Sequence, residues 1–69
     1  MKVELTYFKP SGEYYHDDEY QTDKQHIFEI WEEIREMKNK SDLPGIRGNT
    51  WIISVNVPDH ELNHPRLIT

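Results

Sequence analysis

The chain has no cysteine, so neither a disulfide nor a thiolate metal site can staple it. Glycine is scarce, with three in 69 residues, and Gly45 and Gly48 stand alone in a connector, so there is no phosphate-cradling glycine-rich loop. No apolar run approaches the ~18–20 residues that span a bilayer, so no membrane association is expected. The opening residues Met1-Lys2-Val3-Glu4-Leu5 alternate apolar and polar, unlike a secretory leader. A cytoplasmic protein is the expectation. Basic residues are also few. Eight Lys and Arg stand against 13 Asp and Glu, for a net charge of -5. Affinity for nucleic acid comes from cations that neutralise phosphates, so direct nucleic-acid binding is not expected. Hydrophobic residues make up only 35% of the chain. A domain of this size buries only ~60% of its unfolded surface, so its core is thin.

What apolar content there is follows clear periods. Val3, Leu5 and Tyr7 point one way along residues 2–9, and Glu4, Thr6 and Phe8 the other. Period-two alternation of β-prone residues predicts a half-buried strand. Lys9-Pro10-Ser11-Gly12 supplies turn chemistry. Residues 13–21 should fold back as a partner strand. Its centre, His16-Asp17-Asp18-Glu19, is poor strand material, which predicts a short or bulged edge. Thr22 and Gln25 have capping-box spacing. Ile27, Ile30, Trp31, Ile34 and Met37 then keep a helical period to about Lys40. Arg35, one turn after Trp31, is placed for a cation–π contact. Residues 50–57 alternate again, with Trp51, Ile53, Val55 and Val57 on one face, and Pro58 ends the run.

The order is ββαβ. Short linkers predict an α+β fold in which a three-stranded antiparallel sheet, first strand central, carries the helix on one face. Residues 1–58 form that domain, and residues 59–69 read as a polar C-terminal tail whose Leu67-Ile68 is apolar enough to dock.

Three constellations bear on function. His60-Glu61-Leu62-Asn63-His64 satisfies His-Glu-x-x-His, the zinc-protease spacing. Pro58 and Pro65 bracket it, however, and a residue before proline is pushed out of helical conformation. A solvated turn-rich tail is the plainer expectation. A metal site on His60 and His64, with His16 or Asp59, is the alternative. No cofactor and no catalytic residue are assigned.

The second constellation is acidic. Residues 13–33 hold eight acids against Lys24 alone, a local -7 that leaves +2 for the rest. Asp17, Asp18 and Glu19 sit on the second strand, and Glu29, Glu32 and Glu33 on the helix. Such a surface steers basic partners, or it serves only to keep a small protein soluble. The third is aromatic. Tyr7, Phe8, Tyr14, Tyr15 and Tyr20 fall within fourteen residues. Tyr7 reads as core, while Phe8, Tyr14 and Tyr15 are candidate anchors for a partner. Alternatively they pack across the hairpin and steady it. A one-sided sheet also leaves a face that a second copy could cover, as a homodimer.

The segments Val3 through Tyr15, Leu43-Pro44-Gly45, and Val57 through Ile68 together resemble short accessory proteins of bacteriophages and prophages. The resemblance implies a setting, the cytoplasm of an infected or lysogenic bacterium. Small acidic proteins there often inhibit host defence, as anti-CRISPR proteins and nucleotide sponges do. The expectation is therefore a non-enzymatic protein that acts by occupancy on a basic host surface. One alternative is a homo-oligomer binding a nucleotide through Lys2, Lys9, Arg47 and Arg66. The other is a zinc-binding protein or hydrolase built on the His60–His64 segment.

Overall fold

A computed structural model describes residues 1–48, 50–58 and 66–69. Five elements follow in order: β1 (Lys2–Phe8), β2 (Tyr14–Gln21), α1 (Ile27–Asn39), β3 (Ile52–Asn56) and β4 (Arg66–Ile68). The class is α+β, with one helix on one face of an antiparallel sheet. The sheet has four strands, in the order β2-β1-β3-β4, where the sequence predicted three. The extra strand lies in the segment expected as a tail. Arg66, Leu67 and Ile68 pair with Val55, Ser54 and Ile53, and Ile68 is buried. Three residues are too few to show a strand period, which is why composition hid it.

Parity along the strands builds the core. Val3, Leu5 and Tyr7 of β1 and Ile53 and Val55 of β3 are essentially inaccessible. Ile30 and Ile34 of α1 close over them, joined by Leu43 and Ile46 from the α1–β3 loop. Val57 and Ile68 complete the cluster, and Trp51 packs half-buried against it, as the alternation predicted.

β2 is an edge strand with a bulge, both expected, but it is not short. Tyr7 pairs with His16 and Phe8 with Tyr14, so Tyr15 is the extra residue. The helix starts later than its expected cap. His26 is the N-cap, and its Nδ1 accepts the Phe28 N–H at 3.3 Å. The Thr22 hydroxyl is used otherwise. It accepts from the Lys24 N–H at 3.2 Å and donates to Glu33 Oε2 at 2.9 Å, which ties the end of β2 to the flank of α1. At the other end, Ser41 takes φ 59° while its N–H and that of Asp42 donate to the Lys38 and Met37 carbonyls. This is a Schellman stop with serine in the position glycine usually takes. No helix among the described residues is long and apolar enough to cross a membrane.

Gly45 holds the loop against the sheet. Its φ is +82°, and a Cβ there would meet His16 Cδ2 at 3.0 Å, Asp18 Oδ2 at 3.2 Å and Tyr7 Cε2 at 3.4 Å. Gly12 has a similar φ of +92° with nothing within 4 Å of a Cβ. Both Gly→Ala changes incur the left-handed backbone strain of about 1–2 kcal/mol. Only Gly45→Ala adds crowding, partly against a buried ring. Urea denaturation is expected to show Gly45→Ala as clearly the more destabilising. Equal losses would mean that the loop does not approach the sheet this closely.

Candidate partner-binding face

The sheet has two faces, and the pairing register assigns each residue to one. On the face turned to α1, the β2 residues are His16, Asp18 and Tyr20, opposite Tyr7, Leu5 and Val3. On the other face lie Lys2, Glu4, Thr6 and Phe8 of β1, with Tyr14, Asp17, Glu19 and Gln21 of β2. Ile52, Ser54 and Asn56 of β3 and Leu67 of β4 complete it. No described element packs over this second, open face.

The open face is divided in composition. Tyr14, Phe8 and Ile52 form one cross-strand row. The Phe8 and Tyr14 rings meet edge to face at 6.4 Å. Tyr14 is 56% exposed at this end, and Leu67, 62% exposed, lies one row further along, in the row of Asp17, Thr6 and Ser54. Toward the other end, Glu19 and Glu4 sit directly opposite each other, next to Asp17. Lys2 reaches Glu19 at 3.3 Å, and both side chains are exposed, so that pair contributes little to stability. Three acids against one base leave this face negative. The Tyr14 hydroxyl donates to Asp17 Oδ2 at 3.0 Å, linking the two regions. That bond holds the Tyr14 phenol above its ordinary range, with burial and the Asp17 charge acting in the same direction.

The candidate site residues do not all gather here. Phe8, Tyr14, Asp17 and Glu19 do. Asp18 points to the α1 side, half-buried beside Gly45, with its carboxylate 3.9 Å from His16 Nε2. Tyr15, on the bulge, packs against Trp51 at 4.8 Å between ring centroids, apart from the Phe8–Tyr14 pair. Glu29 and Glu32 lie on the outer side of α1, with the open sheet face across the molecule from them. Glu32 pairs with Arg35 at 3.2 Å, and Glu33 accepts from Thr22. The single acidic strand–helix surface expected from sequence is thus two patches on opposite sides. Glu4, Ile52 and Leu67 were not among the candidates, yet they share the open face. Strand parity flags Glu4 and Ile52, but Leu67 emerges only once β4 is placed.

The arginine expected over Trp31 is also a different one. Arg66 of β4 lies 4.3 Å from the ring centroid, while Arg35 turns to Glu32. The four cations suggested for a nucleotide are dispersed. Lys2 is on the open face and Lys9 pairs with Glu13 at the hairpin turn. Arg47 is in the α1–β3 loop, where its carbonyl accepts from the Trp51 indole. Arg66 is on the helix side. His60, Glu61, His64 and Asp59 lie outside the described residues. Among the described residues, no three His, Asp or Glu side chains converge as metal ligands would. No family model, curated protein or solved structure matches this chain.

Proposed function

We propose that this is a small acidic binding protein that acts by occupancy, presenting the open sheet face to a basic partner. One observation carries this reading. The register places Phe8, Tyr14, Ile52 and Leu67 beside Glu4, Asp17 and Glu19 on the face opposite α1. Exposed aromatics anchor protein interfaces at little cost in rotamer entropy. The acids set orientation and speed encounter with a cationic surface. The resemblance to phage accessory proteins suggests the setting: a bacterial host component, with inhibition of a defence system in the manner of anti-CRISPR proteins as the role. A host surface that normally holds nucleic acid has the required charge.

Charge reversal tests it. The double variant Asp17→Lys, Glu19→Lys changes two exposed carboxylates and is expected to keep the fold, seen as an unchanged circular dichroism spectrum. Asp18 is left intact because it sits against Gly45 on the other face. In pull-downs from bacterial lysate, the partner held by the wild type is expected to be lost from the variant. Binding is also expected to weaken about tenfold or more between ~0.05 and ~0.5 M salt, as screening shortens. Retention by the variant, or salt-independent binding, refutes the electrostatic reading.

A further inference from the structure

The partner's shape follows from how the open face is laid out, given the binding reading above. We infer that the occupant is an amphipathic helix, apolar toward one end and basic toward the other, lying along β1. A sheet face that needs a second layer takes a helix or another sheet. The closest available sheet is a second copy of this chain, and charge opposes it. The open face carries Glu4, Asp17 and Glu19 against Lys2, so two copies would confront like charges. The outer side of α1 is no better a complement, with Glu29, Glu32 and Glu36 exposed against Arg35.

An extended peptide would instead join a sheet edge. The β2 edge resists that. It carries Asp17, Asp18 and Glu19 and is broken by the Tyr15 bulge. Charges and bulges on an edge are what block strand addition. The Asp18 carboxylate also takes the Glu19 N–H at 2.8 Å, removing a donor from a ladder. The β4 edge is three residues long and gives few bonds. The remaining way to use this surface is face-on.

The spacing then specifies the helix. Phe8 and Glu4 are four residues apart on β1, about 13 Å at strand rise. A helix covers that distance in about nine residues. Its apolar anchors would rest on Phe8, Tyr14 and Ile52, with Lys or Arg about seven and eleven residues along, where the helix returns to the same face, over Asp17, Glu4 and Glu19. Hydrophobic contact provides grip at one end, and charge fixes the direction of the helix at the other.

The probe is a synthetic peptide of about eighteen residues. It carries Leu and Phe one turn apart near one end, two Arg on the same helical face about seven and eleven residues on from the Leu, and Ala, Gln and Ser elsewhere. A control of equal composition has a central proline, and a second has the Arg residues moved to the opposite helical face. Each is titrated into the full-length isotope-labelled protein and followed by amide NMR. The first peptide is expected to shift the signals of Glu4, Phe8, Asp17, Glu19, Ile52 and Leu67, and both controls to bind about tenfold or more weaker. Equal binding of the proline control at these residues overturns the helix while leaving a basic partner on this face intact. Shifts confined to the outer side of α1, or none with any peptide, overturn the inference. If the Asp17→Lys, Glu19→Lys variant also keeps its lysate partner, the binding reading falls with it.

Discussion

Leu5→Ala is expected to remove about half of the protein's stability, whereas Phe8→Ala, three residues along the same strand, is expected to remove little of it. Leu5 is 1% exposed on an interior strand, paired on either side with Asp18 and Val55, and belongs to the buried core cluster. Truncating such a leucine costs about 2–5 kcal/mol in lost transfer energy and residual cavity. A chain of this length has a total stability of about 3–10 kcal/mol. The mutation therefore removes about half of it, with no disulfide to compensate. Phe8 has the opposite parity and contacts Tyr14 on the open face. Its loss is expected to cost about 1 kcal/mol, in the range of partly exposed sites. It should nevertheless weaken partner capture, because the anchor is gone. Urea denaturation of both variants, with lysate capture by Phe8→Ala, checks the pair. Similar destabilisation by both would mean that the open face is not open.

Raising the pH above 10 is expected to unfold the protein, and two tyrosines are the reason. Tyr7 is inaccessible, the Tyr20 hydroxyl is buried, and neither hydroxyl has a hydrogen-bond partner among the described residues. Burial pushes both phenols well above their ordinary range. Asp18 and then Tyr20 add to the effect on Tyr7, and Glu33 adds to it on Tyr20. The unfolded chain releases both protons as pH passes about 10, while the folded chain keeps them. The unfolded state then binds fewer protons, so stability falls as pH rises. Each phenol contributes up to about 1.4 kcal/mol per pH unit. Two together take most of a thin margin within about one to two units. Urea midpoints measured from pH 8 to 11 should show the decline, and Tyr7→Phe with Tyr20→Phe should flatten it. At neutral pH, Tyr7→Phe removes a buried hydroxyl that has no hydrogen-bond partner among the described residues, so it is expected to be neutral or stabilising. A decline that persists in the double variant would assign alkaline unfolding to other groups.

Much of the fold was legible because it is local. Alternation in residues 2–8 named Val3, Leu5 and Tyr7 as core and Phe8 as their opposite, and burial agrees. The 3.6-residue spacing named Ile30 and Ile34. What failed were assignments in which a side chain had a choice of partners. Thr22 was read as a cap, yet Glu33, eleven residues on, holds its hydroxyl. Trp31 was paired with Arg35 one turn away, yet a distant strand delivers Arg66. Sequence proximity favours the nearer partner only while the chain has no tertiary neighbours.

The candidate site shows the same division. The sequence by itself determined the composition of the surface: an acidic hairpin and helix, a cluster of exposed aromatics, and two strands of strict parity. Those properties are local and survive any arrangement of the elements. Only the tertiary structure decided which of them face the same way. Parity sends Asp18 to the side opposite Asp17 and Glu19, and the helix layer carries Glu29 and Glu32 to the far side of the sheet. β4, placed by pairing with β3, brings Leu67 to the open face, in the row of Ser54, Thr6 and Asp17. Strand order and register are long-range choices, set by which pairings bury the most apolar surface, and no period within a single segment encodes them.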